Sequence, residues 1–191
     1  MDIDFETYNL GMKRGGTVVL ADHDDGWSGC FDVVSKVIAE GLAPFAIELH
    51  HVGSTSIAGI QAKPILDILA VYDDVAAFEA QREKMEALGF IWKGEYGVPG
   101  RRYYTKYNDD ETVGFVHFHG FEKGHPEIAA HLAFRDYLRA LPEKAKAYEA
   151  LKRELAKEFS TQRANYTEGK ADFVRQTVEE ALAWKQMDKA S

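Results

Sequence analysis

The chain has 191 residues, 46% of them hydrophobic and 12% aromatic, and a formal net charge of −8. That is enough apolar material for a full core in one domain, and the acidic balance argues against a sequence-independent grip on nucleic acid, which needs a basic footprint. No apolar run approaches the roughly 20 residues of a membrane span, and the amino end lacks the basic and apolar segments of a secretory signal. With one cysteine, Cys30, no internal disulfide can form. A reducing, cytoplasmic setting is therefore expected, with Cys30 as a packing residue.

Residues 1–16 lack periodicity and end in Gly15-Gly16, so they read as an extension that is either mobile or packed across a sheet. Thr17 to Leu20 is strand-like, Asp22 to Gly26 is a turn, and Phe31, Val34, Val37 and Ile38 are spaced for a helix over Trp27–Gly41. Ile47, Leu49 and His51 alternate as in a strand, and Ile65 to Val71 is an almost unbroken apolar run. Asp73-Asp74 caps a helix that turns Phe78, Met85 and Leu88 inward and stops at Gly89. Three further strands are predicted over Phe90–Gly94, Arg101–Tyr107 and Thr112–His119, giving a mixed sheet. From Gly124 onward the pattern is helical, with spans 126–140, 142–158 and 167–186, the last capped by Asn165 or Thr167. The expectation is an α/β (α+β) fold: a core over residues 17–120 with its mixed sheet flanked by helices, and a helical part over 121–191 packed on the same core.

The chemistry concentrates in residues 49–72. Gly53 permits a tight turn between two strands, Ser54 and Thr55 offer hydroxyls, Lys63 brings a cation, and Asp67 places a carboxylate inside a buried-looking strand. A carboxylate there is costly unless it is paired, hydrogen-bonded or bound to metal. These parts suit a phosphate held beside a metal.

Gly53-Ser-Thr-Ser56, Lys63-Pro-Ile-Leu-Asp67, His131-Leu-Ala-Phe-Arg-Asp-Tyr-Leu138, Tyr148-Glu-Ala-Leu-Lys152 and Tyr166-Thr-Glu-Gly-Lys170 together resemble the GrpB (UPF0157-like) family over residues 17 to 182. The family is similar to the nucleotidyltransferase superfamily, whose pattern is Gly-Ser, a spacer, then acid, apolar residue, acid on the next strand. The resemblance implies a nucleotidyltransferase-like fold, a nucleoside triphosphate as substrate and a divalent metal, magnesium or manganese. It implies Asp67 as the catalytic and metal-binding acid, with Gly53, Ser54 and Thr55 on the phosphates. Leu69 stands where the second acid would be, and the strand that would bring a third carries His117 and His119. Their alternation puts both imidazoles on one face. They are read as metal or phosphate ligands beside Asp67, while His51 either joins that face or packs.

Arg102, Arg135, Tyr166 and Lys170 complete the expected phosphate-binding set, arginine being suited to bidentate contacts. Arg101 and Arg102 point to opposite sides of their strand, and Arg102 is expected to face the cleft. Tyr103, Tyr104 and Tyr107 are read as packing residues. Asp22, His23, Asp24 and Asp25 are read as a solvated turn. Lys144, Lys146, Lys152, Arg153 and Lys157 are read as an exposed helix face. The expected function is binding of a nucleotide or another phosphorylated small molecule, with transfer of a nucleotidyl group to a small acceptor. The alternative, motivated by Leu69 and the absent third acid, is a non-catalytic module that keeps the fold and binds a nucleotide or a coenzyme A-related ligand, the latter implied by the resemblance because in this family the domain can accompany dephospho-coenzyme A kinase. Neither a nucleic-acid nor a membrane partner is expected.

Overall fold

A computed structural model describes residues 3–188. Strands β1 (Met12–Lys13), β2 (Glu48–Val52), β3 (Leu66–Tyr72), β4 (Phe90–Trp92), β5 (Arg102–Tyr107) and β6 (Val113–Glu122) form one sheet, ordered β2-β3-β6-β5-β4, with β1 added at the start of β6. β3 and β6 run parallel and every other pair is antiparallel, so the sheet is mixed as expected. Helices are α1 (Gly26–Leu42), α2 (Val75–Glu79), α3 (Arg82–Ala87), α4 (Pro126–Ala140), α5 (Pro142–Glu158), α6 (Arg163–Glu168) and α7 (Ala171–Asp188). None is long and apolar enough to cross a membrane.

Strand alternation divides the sheet into two unlike faces. Leu66, Ile68, Ala70 and Tyr72 of β3 share one face with Tyr104 and Phe118, and are sealed by Trp27, Cys30, Val34 and Ile38 of α1, with Phe78 and Met85. Cys30 is fully buried there. The other face carries Asp67, Leu69 and Val71 on β3, in register with His117, His119 and Phe121 on β6. α4 covers its apolar end through Ile128 and Leu132. α5 and α6 stand beside the remainder, and the space between becomes a cleft.

Several boundaries differ from expectation for identifiable reasons. Residues 17–20 are not a strand: Val18 donates its amide to the Ser160 carbonyl and packs against Leu155 and Tyr166, so this segment straps the helical part to the sheet, and only Ala21 bridges to Ala62. The extension packs across the sheet, with Phe5 and Leu10 buried in the main core and Met12 opposite Gly114. The helix after Asp73-Asp74 breaks at Ala80-Gln81, which lets Phe78 and Met85 both be fully buried, while Asp74 caps its first piece by accepting from the Ala77 amide at 2.6 Å. The last expected helix is also two. Gly169 presses on Leu155 too closely to admit a side chain, the chain turns there, and Asn165 and Thr167 lie inside α6 instead of capping a helix.

Candidate functional site

The cleft has a volume of about 760 Å³. Its walls come from the turn after β2, the Asp67 face of β3, β5 and β6, and the inner sides of α5 and α6. Arg14, Lys63, Lys93, Arg101, Lys152, Arg163 and Lys170 line it against one carboxylate, Asp67. In a chain of net charge −8, this concentration of cations is a local inversion of sign.

Gly53 makes the turn possible. Its φ of +68° lies where residues with a side chain are strained, and a Cβ at this point would collide with the Asp67 carboxylate. The chain then winds through one 3₁₀ turn, Ser54–Ser56, closed by the Ser56 hydroxyl donating to the Gly53 carbonyl at 2.7 Å. Ser54 and Thr55 line the cleft. Thr55 Oγ1 is also 2.9 Å from His51 Nε2.

Asp67 is the hub of the sheet side. Oδ1 lies 3.2 Å from His117 Nδ1 and 3.5 Å from His119 Nε2. Burial works to raise its pKa, but the hydrogen bonds and charges of the two histidines hold the carboxyl well below the ordinary range. His119 Nδ1 is 3.3 Å from an Arg101 nitrogen that can only donate. The ring therefore carries its proton on Nε2, facing Asp67. Burial lowers the His119 pKa to about 4 against the pull of Asp67, which leaves it neutral near pH 7. His117, with Nδ1 toward Asp67, keeps Nε2 for the cleft that it lines.

The helical side supplies two lysines and two phenols, and the segment leading into β3 adds Lys63. Lys63 and Lys170 stand over the Tyr166 ring, at 5.4 and 4.6 Å, and among the described residues neither has a carboxylate within 4.0 Å. Lys152 is 1% exposed, donates to the Gln61 carbonyl and lies 4.7 Å over Tyr148, whose hydroxyl hydrogen-bonds Ser54. Burial followed by repulsion from Lys170 lowers Lys152 to about 7, and burial followed by repulsion from Lys63 lowers Lys170 to about 8. Burial also lowers Lys63.

Of the expected residues, Gly53, Ser54, Thr55, Lys63, Asp67, His117, Tyr166 and Lys170 line this one cleft, and His119 lies behind Asp67. Arg102 does not: it pairs with Gly120 in register, on the Tyr104 and Phe118 face, and bonds Glu79 at 2.6 Å. Arg101 occupies the cleft instead. Arg135 also turns away, clasping the His51 carbonyl and Asp136. His51 sits opposite Ile68, on the far face of the sheet, stacked on Phe31. Lys152, expected on an exposed helix face, is instead buried in the cleft wall. Tyr148 stands in the sequence only as the start of a family motif with no role attached, and nothing in the sequence marks Tyr96.

A two-carboxylate metal centre does not fit these residues. Leu69, in the position of the second acid, is 0% exposed and packed among Val52, Val71, Phe121 and the α4 side chains. Asp67 Oδ1 already receives both imidazoles, and His119 has no free nitrogen. One carboxylate with imidazoles is a poor set for magnesium, which takes oxygen ligands. Among the described residues no group of three or more His, Cys, Asp or Glu side chains is disposed to hold a metal ion.

Fold and site together define a mixed α/β domain with a basic cleft around a Gly-Ser turn. The profile of the family described as GrpB protein matches residues 17–180, and the chain belongs to the GrpB family. It is 38% identical to the UPF0157 protein YqkA of Bacillus subtilis over 93% of its own length, but spans only 50% of that relative. The crystal structure of the conserved protein GrpB from Enterococcus faecalis superposes with a TM-score of 0.81 at 29% identity, covering 88% of this chain and 99% of that one. Cid1 poly(U) polymerase aligns more loosely, at a TM-score of 0.44 and 14% identity over 78% of this chain and 47% of that one, too distant to inform the chemistry here.

Proposed function

We propose that this protein binds a phosphorylated small molecule carrying several negative charges, with nucleotides as the class that a Gly-Ser turn of this kind suits, and that Asp67 and His117 serve transfer to a small acceptor. The observation that carries the reading is the lysine trio. Lys63, Lys152 and Lys170 crowd around Tyr166 and Tyr148, their pKa values lowered first by burial and then by neighbouring cations, with Asp67 the one carboxylate lining the cleft among the described residues, so a polyanion is the ligand whose charge this wall complements. The amides and hydroxyls of the Gly53–Ser56 turn add neutral donors suited to phosphate oxygens. In the transfer step His117 Nε2 accepts the proton of the attacking hydroxyl as its oxygen bonds to the α-phosphorus, the bond to the bridging oxygen breaks, and pyrophosphate leaves with that electron pair. Asp67 fixes the tautomer that leaves that nitrogen free.

A second reading is a binding module without transfer, and the buried Leu69 favours it, because the carboxylate pair that would position a metal on the phosphates is broken. Calorimetric titration with nucleoside triphosphates, coenzyme A and tripolyphosphate tests the shared claim. A double K63M/K170M substitution is expected to weaken the tightest ligand by at least about tenfold, each lost charged contact being worth roughly 1.5–3 kcal/mol. Lack of binding by every polyanion, or indifference of the double variant, sinks it. Pyrophosphate release on adding hydroxyl or amine acceptors, with magnesium or manganese, separates transfer from binding alone. We place this activity in the cytoplasm.

A further inference from the structure

At the outer rim of the cleft the loop between β4 and β5 holds a tyrosine where solvent, not the core, receives it. Tyr96 is 68% exposed although aromatic. Its ring stacks on Tyr103, with centroids 5.1 Å apart and planes 20° from parallel, and Tyr103 in turn lies 5.9 Å from the His117 ring. Arg101 covers Tyr103 at 4.6 Å. Both tyrosines line the same cleft as the lysines and Asp67.

The loop is built to keep Tyr96 there. Its φ is +47°, the left-handed region that a bulky side chain rarely adopts. Arg101 fixes that conformation by donating to the Tyr96 carbonyl at 2.6 Å and to the Glu95 carbonyl at 3.1 Å. The Glu95 carboxylate accepts from the Gly100 amide at 2.7 Å, closing the arch from the other side. A strained residue held by this many bonds, displaying a large apolar ring to water, is the pattern of a surface kept for a ligand.

We propose that Tyr96 is a stacking platform for the planar head group of the ligand, so that the cleft selects a nucleotide over a phosphate compound lacking an aromatic ring. This rests on the phosphate-binding reading above and adds to it. The stacked pair Tyr96–Tyr103 extends the platform inward, and the lysines beyond His117 take the phosphates. A base on the outer face of Tyr96 thus continues a stack already two rings deep. Stacking on aromatic side chains tolerates any base, so the platform sets the class of head group and not its identity.

Calorimetric titrations of the intact protein with a nucleoside triphosphate and with tripolyphosphate, on wild type, Y96F and Y96G, test this. Glycine removes the ring and also relieves the positive φ, so a loss of affinity in Y96G does not come from backbone strain. The expected result is tighter binding of the nucleotide than of tripolyphosphate by wild type. Y96F keeps nucleotide affinity within about twofold, since the ring remains, and Y96G loses about 5- to 100-fold while tripolyphosphate affinity is unchanged. Equal affinities for the two probes in wild type, or a Y96G variant that binds the nucleotide as wild type does, would overturn the platform and leave the phosphate reading standing. Failure of both probes to bind wild type overturns both.

Discussion

Leu69→Asp restores, on paper, the acid that the nucleotidyltransferase pattern places two residues after Asp67, and it is expected to unfold the protein instead of creating a metal site. Leu69 is 0% exposed and lies between β2, β6 and α4, against Val52, Val71, Phe121 and the flanking Ile128 and Leu132. Leu69→Ala alone removes buried methyl groups at a cost of about 2–5 kcal/mol. The aspartate adds the cost of placing a charge in that setting, several kcal/mol more. The sum reaches the 5–15 kcal/mol of an ordinary domain's entire stability. Thermal melts followed by circular dichroism should show Leu69→Ala lower by about 5–20 °C, at roughly 2–4 °C per kcal/mol for a chain of this size, and Leu69→Asp without a cooperative transition. Leu69→Asn separates charge from shape and should fall between them. If Leu69→Asp melts within a few degrees of Leu69→Ala, or gains thermal stability from magnesium or manganese, the site beneath α4 admits water or a cation. The case against a two-carboxylate centre would then be wrong.

Two other outcomes follow from the same geometry. Gly53→Ala meets both a φ of +68° and the Asp67 carboxylate, so urea denaturation should show a loss of more than the roughly 1–2 kcal/mol that a left-handed residue costs, together with weakened ligand binding; an unchanged midpoint would mean the turn is not held as described. Lys152 has a folded-state pKa of about 7 against an ordinary 10.5. Between those values the unfolded chain holds more protons, so wild-type stability should rise with pH across that interval, the cost being complete below it. Lys152→Met should flatten the rise in urea midpoints from pH 7 to 9 while lowering polyphosphate affinity, and an unaltered slope would refute the burial of this ammonium.

Much of the frame was legible because local rules agreed with tertiary ones. Pro126 and Pro142 at first helical positions gave α4 and α5 their observed bounds, and the glycine turn between two apolar runs placed β2 and β3. The errors are those of pairing. Thr17-Val-Val-Leu20 has strand composition, but the nearby edge is taken by β1, so the segment bonds outward to Ser160. The choice between Arg101 and Arg102 depends on the β5–β6 register, which puts Tyr103 opposite His119 and so gives the cleft to odd-numbered residues of β5. That register follows from a ten-residue strand and its turn, not from either arginine. The place of Lys152 is legible in the helix period: Ala145, Tyr148, Lys152 and Leu155 follow the 3-4-3 spacing of an inward helix face, and all four are buried. Its charge masked its position.

That lysine also shows how the two halves of the chain make one site. The sheet contributes an ionised acid hydrogen-bonded by its own histidines, and the helices contribute ammonium groups that the sheet leaves uncompensated. Gly53 stands between them, its backbone against Asp67 and the next residue against Tyr148. A polyanion in the cleft therefore touches β2–β3, α5 and α6 at once and relieves a repulsion that the empty protein carries. Because such a ligand binds only the folded chain, its affinity appears directly as added stability. The gain should grow as the pH falls from 9 toward 7, the interval in which Lys170 and Lys152 take up their protons.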